Sequence, residues 1–562
     1  MARILRINTK TKEYVFQDMG AYVNLGGRAL TSRVINKEVP ADCHPLSAEN
    51  KLVFATGLLG GSSAGNSGRL SVGCKSPLTN GIKESNSGGL FAHKLPKMGL
   101  AAIIFEDKPE DDAPFSTVFI TENKVEFRDA SDIVGMDNYP AHDKLLEEYG
   151  DKLIAGMIGP AGETMRKTAT IQFTDPHKHP ARSAGRGGTG AVLGSKKIKA
   201  VILDPEVNVK TQAADNDAFK AARKTWVEIV KEHPVTGQGL PGFGTSILVN
   251  VVNEAGALPG KNFRLGQIEH AAEISGEKIA EVIEARGGKT REGCHIGCLI
   301  QCSQRYNDKD GNYLTSGFEY ETVWAMGANA MIPDIDDIAM LDRICDEKGM
   351  DTIEIGNTIA IAMEGGIIPW GDGKAAIELI SKVGSDDPMG MIIGNGVDFA
   401  GGAFGVDRLP TVKGVGVTYA TSAMGADHTA GYGVAQNIMK VGGDIDGHKK
   451  DGNVELSKNL QVATAAIDSM GFCLFVAFAV LDAENGVQTM ADLVQAYTGN
   501  TFTADDLVNL GVRCMQDEQE FNERAGFTKM DDRLPRFFET DQLPPHGVVW
   551  DLNEDEVQGA KA

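Results

Sequence analysis

A surplus of positive charge is missing from this chain of 562 residues: 55 lysines and arginines face 77 aspartates and glutamates, a formal net charge of -22. No basic stripe stands out to neutralise phosphates, which argues against nucleic-acid binding. Long apolar runs are missing too. The most apolar stretch, Phe472 to Leu481, is too short to cross a bilayer. The opening Met1-Ala-Arg-Ile-Leu-Arg6 lacks the apolar run of a secretion signal. Cysteine is sparse, eight residues in all, and three of them fall in one short segment. That distribution fits metal ligation in a reducing compartment, not a disulfide scaffold, and the cytoplasm is the expected location.

Glycine, by contrast, is abundant, with 67 residues, many in runs that mark tight backbone or close approach to a ligand. The length exceeds what one hydrophobic core supports, so several domains are expected. Residues 1–205 read as a β-rich domain, with strands around Tyr14–Phe16, Ala101–Ile104, Ser116–Phe119 and Leu193–Leu203. Residues 206–400 read as mainly helical, with helices expected over 217–233, 268–285, 335–366 and 374–383. Residues 401–562 continue in that character, with helices near 433–441, 458–480 and 489–497. A helix start is expected at Thr501–Asp506, and the tail beyond Val549 reads as loose.

Cys294, Cys298 and Cys302 recur every four residues, and Cys473 is the one plausible distant partner. Three thiolates in one segment plus a fourth elsewhere suit a 4Fe–4S cluster. A regular helix would separate Cys294 and Cys302 by about 12 Å through rise alone, so the segment must bend; Gly293 and Gly297 would let it. A zinc site using His295 is the rival, and a radical enzyme using S-adenosylmethionine would space its cysteines differently. Cys43, Cys74, Cys345 and Cys514 read as ordinary buried residues.

Two further runs are rich in small donors around arginine. One is 56–89, with Arg69 and Ser85-Asn86-Ser87-Gly88-Gly89; the other is Arg182-Ser-Ala184-Gly-Arg186-Gly187-Gly188. Clustered amides and guanidinium groups suit phosphate oxygens, although neither run is a dinucleotide fingerprint or a P-loop. Acid–base candidates are Glu319 and Glu321 in Phe318-Glu-Tyr-Glu-Thr322, and His428 beside Asp427. An internal echo, Asp346-Glu-Lys-Gly349-Met-Asp351 and Asp468-Ser-Met-Gly471-Phe472-Cys473, follows two helical stretches. Its glycines suit helix ends.

Together these segments resemble the aldehyde:ferredoxin oxidoreductase family of tungsten- or molybdenum-pterin enzymes. Gly26-Gly27-Arg28, Ser67-Gly68-Arg69, Lys75–Thr79, Gly190–Lys196, Tyr419–Ser422, Gly425–His428 and Asp531–Pro535 carry the likeness further, in order along nearly the whole chain. The resemblance implies an α+β fold of three domains: a first built on two β-sheets and two mainly helical ones closing over it. It implies a bis-pyranopterin centre with Mg2+ bridging its phosphates, and a neighbouring 4Fe–4S cluster on Cys294, Cys298, Cys302 and Cys473. Arg69, Asn86, Arg182, Ala184, Arg186 and Gly187 would lie by the pterins from the first domain. Asp346, Gly349, Asp351, Asp468, Gly471 and Phe472 would meet them from the others.

The implied reaction oxidises an aldehyde to a carboxylic acid, with Glu321 or Glu319 as base and His428 as its partner. Electrons would leave for ferredoxin or an iron–sulfur subunit. Two departures stand out: the family's cysteine gaps are two and then three residues, whereas here both are three, and the usual C-terminal helical tail is replaced by Pro544-Pro-His-Gly547 and an acidic end. A branch of the family reduces benzoyl-CoA as the catalytic subunit of larger assemblies, which is the main alternative. A non-catalytic electron-relay subunit is the alternative of another class, and oligomer formation is compatible with all three.

Overall fold

The structure, a computed structural model, describes residues 2–209, 211–316, 318–418, 445–446 and 448–561. Twelve strands form two six-stranded sheets. The first runs in the order β2-β1-β6-β3-β4-β5, built from β1 (Arg3–Asn8), β2 (Tyr14–Asp18), β3 (Leu52–Thr56), β4 (Leu70–Lys75), β5 (Ile82–Ser87) and β6 (Leu100–Glu106). The second runs β11-β10-β9-β12-β7-β8, from β7 (Ser116–Ile120), β8 (Val125–Asp129), β9 (Ala155–Met157), β10 (Ile171–Phe173), β11 (Arg182–Ala184) and β12 (Ile198–Leu203). Both are mixed sheets, with β1 parallel to β6 and β12 parallel to β7.

Side-chain alternation explains how four layers pack. In β6, Ile103 and Phe105 enter the core shared by both sheets, while Ala102 and Ile104 point the other way onto the helix Gly27–Glu38. In β12, Val201 and Leu203 join the shared core, and Ala200 and Ile202 meet Ala141 and Leu145 of the helix Asn138–Tyr149. Phe54, Phe91, Phe105 and Phe173 fill the shared core with edge-to-face contacts. The edge strands β5 and β11 lie side by side: the Ser87 hydroxyl donates to the Arg182 carbonyl (3.1 Å) and that of Ser85 to the Arg186 carbonyl (2.9 Å). This joint is the floor of the site described below.

The other described residues are predominantly helical, apart from a small sheet of β13 (Lys289–Glu292), β14 (Ser303–Asn307) and β15 (Tyr313–Ser316) and a two-stranded one of β16 (Thr411–Val412) and β17 (Val415–Gly416). No helix among the described residues is long and apolar enough to cross a membrane. Several expected elements are divided. Residues 268–285 form a 3-10 turn, Ala271–Ile274, and then the helix Gly276–Ala285, whose start is capped by the Ser275 hydroxyl. Residues 335–366 split into Ile335–Lys348 and Thr352–Glu364, and 458–480 into Asn453–Met470 and Val476–Asp482. Leu193 to Ser195 end a helix, Thr189–Ser195, so the strand there begins only at Ile198.

The expected helix start near 501–506 is a capping box: the Thr503 hydroxyl accepts from the Asp506 amide and the Asp506 carboxylate accepts from the Thr503 amide. The tail is more ordered than its composition suggests. It ends in the helix Glu554–Gly559, and Ala560 is buried against Val454, Trp550 and Leu552. The expected helix at 433–441 lies outside the described residues.

Candidate functional site

The cysteine segment connects β13 to β14. It is not a helix: Gly297 at φ 79° and Gln301 at φ 55° turn the chain repeatedly, which removes the separation that regular helical rise would impose. Cys294, His295 and Cys298 place their ligand atoms within 4.8 Å of one another. The Asn66 amide group donates to Cys298 Sγ (3.6 Å), and the Asn66 carbonyl accepts from the Cys473 amide (2.9 Å). One asparagine thus ties the cysteine segment to the distant fourth cysteine. All four thiols are free of disulfides; Cys294, Cys302 and Cys473 are buried and Cys298 is half-buried.

Cys294, Cys302 and Cys473 line one cavity of about 350 Å³. Arg69, Asn86, Arg182 and Arg186 line it from the sheet side, Glu319 and Glu321 from beyond β15, and Asp346, Asp351 and Asp468 from the helical side. The polar groups are strung together. Arg69 Nη1 reaches Cys294 Sγ (3.8 Å) and its Nε donates to the Asn86 side chain, which in turn donates to Asp468 Oδ1 (3.4 Å). Arg182 Nη2 donates to Ser303 Oγ (2.7 Å), and Arg186 Nη2 to the Gly416 carbonyl (2.6 Å). A larger cavity of about 600 Å³ shares Arg28, Lys83, Arg186 and Glu518 with the first and adds Gly187.

Burial dominates the electrostatics here. It pushes Glu319 up to about 7, against the opposing Thr245 hydroxyl, which donates to Glu319 Oε2 (2.7 Å), and Arg182. It likewise raises Glu321, lifts Asp468 to about 8 and Asp342 to about 6, and holds Asp346 well above the usual carboxylate range. The Cys298 thiol donates to Cys294 and holds it well below the ordinary thiol value, helped by His295 and Arg69. Cys298 is driven up by that same bond, by burial, and by its neighbours Cys294, Cys302 and Cys473. Burial likewise raises Cys302 and Cys473, and a cation bound by the four sulfurs would displace the protons they hold.

The residues present fit a bound anionic cofactor. Arg182 Nε, a cationic donor, is buried and makes no hydrogen bond among the described residues; buried polar atoms are normally satisfied. Gly349 and Gly471 do not line the cavity. They end helices in left-handed conformation, where Gly471 abuts Gly57 and Gly349 abuts Gly159. Phe472 is buried against Trp226 (4.5 Å between centroids), and Ala184 is buried in β11. His428 lies outside the described residues.

Sequence reading missed several groups that face the cavity: Lys83, Glu84, Asp342 and Glu518. Arg28 stands out in the sequence only through its Gly-Gly-Arg motif, and in the fold it bridges Glu518 (2.8 Å) and Asp468 (3.5 Å). A signal existed for Arg28, since two glycines precede it; the acids look like any solvated charge.

A fold of two sheets roofed by helices, with arginines and thiols meeting in one cleft, defines a buried-cofactor redox protein. The family model for the N-terminal domain of aldehyde ferredoxin oxidoreductase matches residues 4–205, and the model for domains 2 and 3 matches residues 221–556. The chain belongs to the aldehyde ferredoxin oxidoreductase family and is an oxidoreductase of that family. It is similar to the tungsten-containing aldehyde ferredoxin oxidoreductase of Pyrococcus furiosus, at 35% identity over 96% of this chain and 92% of the relative. The Thermococcus kodakarensis protein of the same description is 34% identical, with the same coverage. An aliphatic sulfonate oxidoreductase, WOR-like subunit, of Pyrococcus furiosus is 26% identical over 92% of this chain and 85% of its own. Among solved structures, the active site complex BamBC of benzoyl coenzyme A reductase with 1,5-dienoyl-CoA superposes with a TM-score of 0.75, covering 95% of this chain and 90% of that one. At 20% identity that likeness is one of fold alone.

Proposed function

We propose that the chain oxidises small aldehydes to carboxylic acids at a tungsten or molybdenum bis-pyranopterin centre and passes the electrons singly through a 4Fe–4S cluster to ferredoxin or an iron–sulfur subunit. One observation carries this reading: arginines, thiols, paired glutamates and helix-end aspartates from far-separated stretches converge on a single cavity. When bound, the metal–pterin centre supplies the two-electron redox chemistry.

The chain's own residues bind and move protons. Cys294, Cys298, Cys302 and Cys473 hold the cluster. Arg69, Asn86, Arg182 and Arg186 would hold the pterins and their phosphates, with Mg2+ neutralising phosphate charge, and Asp346, Asp351 and Asp468 would hold the pterins from the helical side. Converting an aldehyde and water to an acid releases two protons with two electrons, so a base must lie at the substrate. Glu319 is tethered to Thr245, whereas the Glu321 carboxylate lines the cavity with Arg186 as a nearby charge and without a side-chain hydrogen bond among the described residues. Glu321 is therefore the proposed proton acceptor, and its burial raises its affinity for a proton. His428 is the proposed partner that orients the carbonyl oxygen.

Elemental analysis of anaerobically purified protein tests the cofactor assignment: one tungsten or molybdenum and about four irons per chain are expected, and zinc alone would overturn it. Turnover of an aldehyde panel with a viologen acceptor tests the reaction. Replacing His428 by alanine should lower kcat by on the order of 100-fold at unchanged metal content; full turnover would remove it from catalysis.

A further inference from the structure

Glu354 carries no role in the account so far, yet few side chains are as tightly built in. It is fully buried in the first turn of the helix Thr352–Glu364. Its Oε1 accepts from the Val397 amide (3.0 Å) and its Oε2 from the Gly416 amide (2.8 Å), while Arg186 Nη2 stands 3.5 Å away. Two glycines make that approach possible. A Cβ on Gly396 would sit 2.7 Å from Glu354 Oε1, and one on Gly416 would sit 3.2 Å from Oε2 and 2.8 Å from the Asn357 side chain.

The short strand Val415–Gly416 closes the arrangement from its other side. Gly416 gives its amide to Glu354 and takes, at its carbonyl, a hydrogen bond from Arg186 (2.6 Å). Asp351, one turn before Glu354, faces Arg186 Nε at 3.4 Å. The guanidinium is thus clamped by two carboxylates and a carbonyl before it faces the cavity. A buried carboxylate is costly unless paired and hydrogen-bonded. Here one carboxylate oxygen is spent on the Val397 amide, and the other serves Arg186 twice, by holding the Gly416 backbone to which Arg186 donates and by facing Arg186 itself.

We infer that Glu354 is the positioning residue for Arg186, holding its guanidinium toward the anionic part of the pterin cofactor. This rests on the pterin reading above. Glu354 touches no cofactor atom in this assignment; it acts through the arginine, as hydrogen-bonded outer partners act through the groups that bind a ligand.

The test uses the full chain purified anaerobically, reading released pterin by its fluorescence and metals by plasma mass spectrometry. Glu354→Gln, which keeps shape and removes charge, should release pterin about ten-fold faster than wild type, with the tungsten-to-iron ratio lowered and iron per chain unchanged. Arg186→Gln should do the same, and the double variant should release pterin no faster than Arg186→Gln alone, because both changes break one device. Wild-type pterin retention in Glu354→Gln, or effects that multiply in the double variant, would overturn the inference. Should Glu354→Gln fail to fold, Glu354→Asp, which withdraws the carboxylate by one methylene, must show the same faster release or the inference falls. Wild-type protein that carries iron but no pterin would sink the functional reading itself, a result separable from both.

Discussion

Helix Ile335–Lys348 and helix Asn453–Met470 both stop at a glycine in left-handed conformation, Gly349 at φ 69° and Gly471 at φ 86°. In each, the glycine amide returns to an aspartate carbonyl, Asp346 (3.3 Å) or Asp468 (3.1 Å), and the next amide returns to the residue before it, Cys345 (2.8 Å) or Ile467 (3.1 Å). This is the Schellman closure, made twice, and both aspartates face the same cavity. Two residues past the glycine the ends diverge. Asp351 caps the next helix by accepting from the Ile353 amide (3.0 Å) and faces Arg186, whereas Cys473 joins the thiol group. One backbone solution therefore serves two chemistries, and a single side chain decides which.

The sharpest way to break the comparison is to exchange its diverging residues. Cys473→Ser should lose most of the iron and lower turnover by more than about 100-fold, because a weak hydroxyl replaces one of four thiolates. Asp351→Ser should keep all its iron, since serine still caps a helix. Iron analysis of the two variants checks this, and equal iron in both would end the ligand assignment for Cys473.

A smaller effect is expected from the shared glycines. At Gly471 a Cβ would lie 3.0 Å from Gly57 Cα, and at Gly349 it would lie 3.0 Å from the Gly159 amide nitrogen, both on left-handed backbone. Gly471→Ala and Gly349→Ala should each destabilise by about 1–2 kcal/mol, read as lower urea midpoints with iron retained. A cost at only one position would show that the two ends are not equivalent.

A last comparison concerns protons in the cofactor-free chain. Burial, with Glu84 adding to it, raises Asp468 from 3.8 to about 8. The folded chain then holds a proton that the unfolded chain has released. Its stabilising contribution is complete below the unfolded value of 3.8 and is lost as pH rises through about 8. The urea midpoint of wild-type protein should fall across that window, and Asp468→Asn should flatten the fall. The peripheral Glu38 behaves oppositely. It is held down to about 2, with bonds from Arg6 and Tyr22 outweighing its burial, so its contribution is present above 4.5 and fades as pH drops through about 2.

The echo between the two helix ends was legible in the chain, yet its consequence was not. Periodicity carried the helical reading across Gly349 and Gly471, because one glycine costs a helix only about 1 kcal/mol. What stops these helices is close packing of Gly349 on Gly159 and of Gly471 on Gly57, contacts between segments far apart in sequence. Strands were read well where side chains alternate, as in β6, and poorly at Leu193–Ser195, where apolar residues cover one short buried helix. At the site, Arg69, Asn86, Arg182, Arg186 and the cysteines stood out through glycine-rich context and spacing. Glu84, Asp342, Glu354 and Glu518 did not, since an acid in a helix or strand looks solvated until its neighbours are known.

By itself the sequence determined the inventory: four cysteines suited to one cluster, arginines in small-residue runs, two helix ends with aspartates at their glycines, and membership of a family. Those properties are local, written in residue type and spacing. Only the tertiary structure decided which groups share a cavity, that Asn66 ties the cysteine segment to Cys473, and that Glu354 clamps Arg186. The reason is physical: removing water from a charge and bringing its partner within hydrogen-bond reach both depend on the folding of distant segments onto one another.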